Sequence, residues 1–151
     1  MKKPVIVSMI MALMLVMGGS FVLAQPQESA TEEKPTFYLS IDIMPGSDLN
    51  NIDTRSHGKI PVAILSTEEF DAPSQVDPHS LTFGPTGDER SLAFCSGAED
   101  VNGDGLKDLI CHFYTQNTGF HCGDTTATLK GKTVQGIPIE GSDSVNIVPC
   151  K

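Results

Sequence analysis

Beyond residue 24, no stretch of twelve residues spaces its apolar side chains as one face of a helix would. The chain offers short apolar runs cut by turn residues, with 14 glycines and 10 prolines in 151 residues. A helix needs its apolar stripe sustained over several turns, whereas a strand needs only a few alternating positions. This pattern confines the chain to an all-β class. Residues 37–43 place Leu39, Ile41 and Ile43 on one side and Ser40 and Asp42 on the other. Residues 59–65, KIPVAIL, form a second run, and Pro61 within it predicts an edge or bulged strand. Residues 67–70 are expected to form one helical turn capped by Ser66 or Thr67. Further strands are expected over 81–83, 92–95, 109–114, 126–130, 133–139 and 144–148, with 109–114 the strongest candidate for a central strand. About eight strands in about 116 residues predict an antiparallel β-sandwich of Ig-like, Greek-key type. A small β-barrel is the alternative. There is no internal repeat, which disfavours a propeller or solenoid.

The first 24 residues have a different character. Lys2 and Lys3 precede a nearly unbroken apolar run over residues 4–17, and Val22-Leu23-Ala24 places small residues for cleavage before Gln25. That is the layout of a secretory signal peptide, and its apolar run is short against the roughly 20 residues of a membrane span. Cleavage would leave no stable membrane span. Residues 25–35, QPQESATEEKP, are expected to be a flexible linker. The expected folded domain is residues 36–151, and its expected location is secreted, periplasmic or at the cell surface. Loss of Lys2 and Lys3 leaves 8 basic against 19 acidic residues, a net charge of −11 compared with −9 for the whole chain. Such a balance argues against nucleic acid as a partner, since phosphate binding needs clustered cations.

One segment carries recognisable chemistry. Residues 100–108, DVNGDGLKD, set side-chain oxygens of Asp100, Asn102, Asp104 and Asp108 at positions 1, 3, 5 and 9, with Gly105 at position 6. A calcium loop needs a backbone curled so that alternate side chains point inward, and glycine permits the sharp turn. Leu106 at position 7 would supply its carbonyl oxygen. Position 12 is Cys111 instead of a bidentate glutamate, and the loop runs into a strand, so this is no helix–loop–helix sensor. Glu99 or a water is expected to complete the ligand set. The expected ion is Ca²⁺ in a structural role. The competing view is a polar turn without an ion. The loop is similar to the calcium loops of integrin-type propeller repeats and resembles the loop half of dockerin repeats.

Four cysteines in an exported chain predict disulfides. Three pairings are open. The preferred one joins Cys95 to Cys111 across the loop and Cys122 to Cys150, with Cys111–Cys122 as its rival. Cys111-His112 and His121-Cys122 also allow a zinc site, although neighbours on a strand point to opposite faces. His57 and His79 are expected to be solvated.

No nucleophile elbow or phosphate loop is recognisable, and the carboxylate pairs Glu68-Glu69 and Asp88-Glu89 are expected to be solvated turn charges, so no catalytic residue is assigned and the chain is not expected to be an enzyme. The expected role is a binding or structural module for an extracellular protein or glycan. With no tryptophan and only Tyr38 and Tyr114 as tyrosines, a protein partner is slightly favoured. A small secreted hydrolase and a secreted protein inhibitor are the alternatives.

Taken in order, IDIMPGS, GKIPVAIL, EDVNGDGLKDL, CGDTTATLKG and IEGSDSV resemble an uncharacterised module of bacterial and archaeal secreted or surface proteins. The resemblance covers nearly all of residues 39–151. It implies an exported β-rich domain with a calcium-type loop at Asp100, Asn102, Asp104 and Asp108, and it implies no reaction. The module usually accompanies other extracellular domains, whereas here it follows only a signal and a short linker.

Overall fold

A computed structural model describes residues 32–151. The expected signal peptide at 1–24 and residues 25–31 of the expected linker lie outside them. Among the described residues ten strands follow one another: β1 (Phe37–Tyr38), β2 (Ile41–Ile43), β3 (Asn51–Asp53), β4 (Lys59–Ile64), β5 (Thr82–Gly84), β6 (Leu92–Glu99), β7 (Asp108–Tyr114), β8 (Thr126–Lys132), β9 (Pro138–Ser144) and β10 (Asn146–Val148). Among the described residues helix is confined to single turns, α1 (Ala72–Gln75), α2 (Thr115–Thr118) and a 3₁₀ turn at Pro78–Ser80.

The strands form two four-stranded sheets, in the orders β1-β9-β8-β5 and β2-β4-β7-β6, with β10 paired to β3 separately. Neither four-stranded sheet closes on itself, so the fold is an all-β sandwich and the barrel alternative falls. Hydrophobic alternation fills the space between the sheets. Leu109, Cys111 and Phe113 of β7 face inward with Val62 and Ile64 of β4, and meet Phe83, Ala127, Leu129 and Ile139 from the other sheet in one core. Phe83 and Phe113 span the two sheets with ring centroids 4.9 Å apart, and Phe120 meets Phe83 edge-on at 6.0 Å. Such pairs add specificity beyond their buried area.

The pairing is not wholly antiparallel. β1 runs parallel to β9, and β3 runs parallel to β10. The first parallel pair exists because the segment expected as one strand over 37–43 is two. Leu39 donates its N–H to Glu140 O in the β9 sheet, while Ser40 O accepts from Leu65 beside β4. The chain crosses between sheets at this point. Gly141 makes the crossing possible, since a Cβ there would lie 2.7 Å from Leu39 Cδ1 and 2.8 Å from Leu39 O.

Three other sequence expectations are corrected. Pro61 lies in a central strand and not at an edge, opposite His112 of β7. In a strand, the N–H and C=O of one residue point to the same neighbour. Pro61 O accepts from Met44 N at 2.8 Å, so the proline nitrogen faces β2 where that strand ends and the backbone turns at Met44, φ 51°. No bond to β7 is forfeited. Residues 67–70 form a tight hairpin turn, with Thr67 and Phe70 exchanging backbone bonds at 2.8 and 3.2 Å, and the helical turn comes later, at α1. Residues 133–137 form a turn closed by Thr133 N to Ile137 O at 2.8 Å, so the strand expected over 133–139 begins only at Pro138.

Both preferred disulfides are present. Cys95–Cys111 joins directly opposed residues of β6 and β7, and Cys122–Cys150 ties the loop before β8 to the C-terminus. The rival Cys111–Cys122 pairing and the zinc arrangement are thereby excluded, because all four thiols are oxidised. His57 and His79 are exposed, as expected. Among the described residues no helix is long and apolar enough to cross a membrane.

Candidate metal centre

The candidate calcium loop is the connection between β6 and β7, whose strands the Cys95–Cys111 bridge already holds together. Gly103 and Gly105 take left-handed conformations, φ +78° and +89°. They curl the backbone so that consecutive amides turn toward the Asp100 carboxylate. Its Oδ1 accepts from Gly103 N at 2.7 Å and from Asp104 N at 3.2 Å, and its Oδ2 accepts from Gly105 N at 2.8 Å. The Gly105 N–H above all, with those of Gly103, Asp104 and Asn102, holds the Asp100 carboxyl below the usual carboxylate range. Hydrogen bonds to the charged form have that effect.

Asn102 and Asp104 stand beside it. Asn102 Nδ2 donates to Asp104 Oδ2 at 3.1 Å, Asn102 Oδ1 accepts from Asp104 N at 3.1 Å, and Asp104 Oδ1 accepts from Leu106 N at 2.8 Å. The loop therefore gathers three of the four expected side-chain ligands, at Asp100, Asn102 and Asp104, on one partly exposed turn.

Asp108 stands apart from them. Alternation along β7 puts it on the same face as Ile110 and His112, yet none of it is exposed. Its Oδ1 accepts from Ser66 N at 2.8 Å and its Oδ2 from Val101 N at 3.0 Å. Ser66 in turn donates from Oγ to Lys107 O at 2.6 Å and accepts from Ala72 N at 2.9 Å. Asp108 thus fastens the start of the candidate loop to the segment after β4. Among the described residues no group of three His, Cys, Asp or Glu side chains stands ready to hold a metal ion. The donor chemistry still fits Ca²⁺, because Asp100, Asn102 and Asp104 offer hard oxygens on a curled backbone. Leu106, with its N–H held by Asp104, lies where its carbonyl would follow in the series, and Glu99 is exposed at the end of β6.

Carboxylates also gather at the edge of this region. Burial foremost, then the charges of Asp143 and Asp108, push Asp42 of β2 above the usual carboxylate range. Asp143 bridges strands, with Oδ2 accepting from Ile43 N and from Asn50 Nδ2, each at 3.1 Å.

The sheet face beside the loop carries residues that motif searching missed. Phe94 of β6 stacks on His112 of β7 with centroids 4.6 Å apart and planes 26° apart. Lys59 Nζ lies 5.3 Å from the centre of the Tyr114 ring and 6.0 Å from that of Phe94. The alternation Ile110, His112, Tyr114 in β7 was the signal available for this face. Phe94 was hidden by register shifts in β6 between Leu92 and Phe94 and between Cys95 and Ala98. Comparison with known proteins finds no family model that matches this chain, and no match among curated proteins or solved structures.

Proposed function

We propose that this chain is a secreted, calcium-stabilised, disulfide-bonded module that binds or braces another extracellular molecule and catalyses nothing itself. The observation that carries the proposal is the curl at 100–106, which turns three amides onto Asp100 and sets Asn102 and Asp104 at its side. When bound, Ca²⁺ would supply charge neutralisation to a turn with three acidic residues in nine. Asp100, Asn102, Asp104 and the Leu106 carbonyl would hold it, while Asp108 positions the loop. Two disulfides and the signal-like N-terminal sequence support export, since such bonds persist in oxidising compartments.

The test is thermal unfolding of the oxidised protein with calcium, with magnesium and with a chelator. Calcium at ten times its Kd adds about 1.4 kcal/mol, which raises Tm by about 5 °C for a domain of this size. The rise is expected to disappear in Asp104→Ala. Equal Tm values in calcium and chelator, with no heat of binding at millimolar calcium, would overturn the proposal. Mass spectrometry of the protein from culture supernatant is expected to give Gln25 as the mature N-terminus.

A further inference from the structure

We propose that Asn102 modifies itself: the backbone nitrogen of Gly103 attacks its side-chain carbonyl, expels ammonia and leaves isoaspartate or aspartate in the β6–β7 connection. The inference goes beyond the proposed function and holds whether or not the loop takes calcium. Two conditions govern how readily an asparagine closes on the next residue. That residue must leave its backbone nitrogen open to attack, and the local fold must lay the side chain over the peptide that follows.

Asn102 alone meets the first condition. The chain has five asparagines, and only Asn102 precedes a glycine. Asn51, Asn117 and Asn146 precede the β-branched Ile52, Thr118 and Ile147, whose side chains crowd the backbone nitrogen. Asn51 and Asn146 are also fixed in the paired strands β3 and β10, and Asn117 lies in α2. Asn50 is buried, with its amide held by Asp143 and Ser144.

The loop supplies the second condition. Asn102 and Gly103 are both exposed. A Cβ built on Gly103 would meet nothing within 4 Å, so the space beside its nitrogen is open. Asn102 Oδ1 accepts from Asp104 N at 3.1 Å, the Asx turn that folds a side chain over the next peptide. The same bond polarises the carbonyl and stabilises the negative oxygen that forms during attack. Gly103 N–H donates to Asp100 Oδ1 at 2.7 Å. That bond lies in the peptide plane, whereas attack proceeds perpendicular to it, so the two do not compete. Asp104 also precedes a glycine and has its own Asx turn onto Leu106 N. Its ionised carboxylate resists a nucleophile, which singles out Asn102.

The atoms balance without any oxidant or reductant. Gly103 N gives its proton to solvent and bonds to Asn102 Cγ. The Cγ–Nδ2 bond breaks, and Nδ2 takes a proton from solvent to leave as ammonia. One water then opens the five-membered succinimide. Cleavage of the new N–Cγ bond gives aspartate, and cleavage of the original backbone C–N bond gives isoaspartate. Either product adds a negative charge to a turn with three acidic residues in nine. Isoaspartate also inserts a methylene into the backbone, inside the curl that brings the amides of Gly103, Asp104 and Gly105 onto Asp100.

The test is incubation of the oxidised protein in mildly alkaline buffer with chelator, read by peptide mass spectrometry, ion exchange and ammonia release. Chelator makes the outcome independent of calcium, so the calcium reading stands or falls separately. Conversion of Asn102 to isoaspartate and aspartate is expected before any change at Asn50, Asn51, Asn117 or Asn146, with a matching release of ammonia. The folded protein is expected to convert Asn102 at least as fast as the same chain unfolded in urea. Asn102→Gln, which would need a six-membered ring, is expected to lose the ammonia release and the new acidic species. An Asn102 amide that stays intact in the folded protein while the chain in urea converts would overturn the proposal. Earlier conversion at another asparagine, or ammonia release unchanged in Asn102→Gln, would overturn it equally.

Discussion

Asp108 separates two roles that the sequence motif merges, metal ligand and structural fastener, and its replacement by alanine distinguishes them. The side chain is wholly buried, and both of its oxygens accept backbone N–H groups, from Ser66 at 2.8 Å and Val101 at 3.0 Å. A hydrogen bond to a charged group contributes about 1.5–3 kcal/mol. Two of them, with both amides left unpaired in Asp108→Ala, give an expected loss of about 3–6 kcal/mol. That is a large share of the 5–15 kcal/mol typical of a domain. Asp108→Asn keeps one carbonyl-type acceptor but turns an amide donor toward the other N–H, so about half of the loss should remain. The assay is urea unfolding followed by circular dichroism, with and without chelator. A fastener costs the same in both conditions, whereas a ligand costs only when calcium is present. Asp104→Ala supplies the contrast, because its effect is expected only with calcium. The reasoning fails if Asp108→Ala costs less than about 1 kcal/mol, or if its cost vanishes in chelator.

Two further outcomes follow from the structure. Burial first, and then Asp143 and Asp108, raise Asp42 above its ordinary value, so the folded state holds that proton more tightly than the unfolded state. The associated stability is present at low pH and is lost as pH rises through the raised value. Asp42→Asn is therefore expected to raise Tm at neutral pH and to leave it unchanged at about pH 3. Separately, the Cys122–Cys150 bridge closes a separation of 28 residues, for which the chain-entropy model gives about 3.6 kcal/mol. Replacing both cysteines by serine should lower unfolding stability by about that amount in oxidising buffer, measured by urea unfolding.

Period-two patterning made β8 legible, and apolar runs bounded by turn residues made β4 and β7 legible. The disulfides were legible for a related reason, as Cys95 and Cys111 flank a loop short enough to join neighbouring strands. What stayed hidden depended on contacts distant in sequence. The crossing at Leu39 and Ser40 depends on Gly141, roughly a hundred residues away, leaving room for Leu39. Pro61 reads as an edge residue until Met44 is seen to turn away opposite its nitrogen. In the candidate loop, spacing identified Asp100, Asn102 and Asp104 as neighbours. It could not show that Asp108 spends its oxygens on Ser66 and Val101, because Ser66 reaches it only through the β4–β7 pairing.

These contacts join the loop to the sheet face. Val101 and Glu99 line one end of the groove that contains His112; Val101 belongs to the connection that Asp108 and Asp100 organise, whereas Glu99 ends β6, paired with Asp108. Val101 N is held by Asp108, one residue after the carboxylate that gathers the amides of Gly103, Asp104 and Gly105. Whatever orders residues 100–105 also fixes where Val101 stands. The other end of the groove is held by β7, tied to β6 through Cys95–Cys111 and to β4 along six paired residues. Pro61 and His112 are therefore placed by strand pairing, and Val101 by the Asp108 carboxylate.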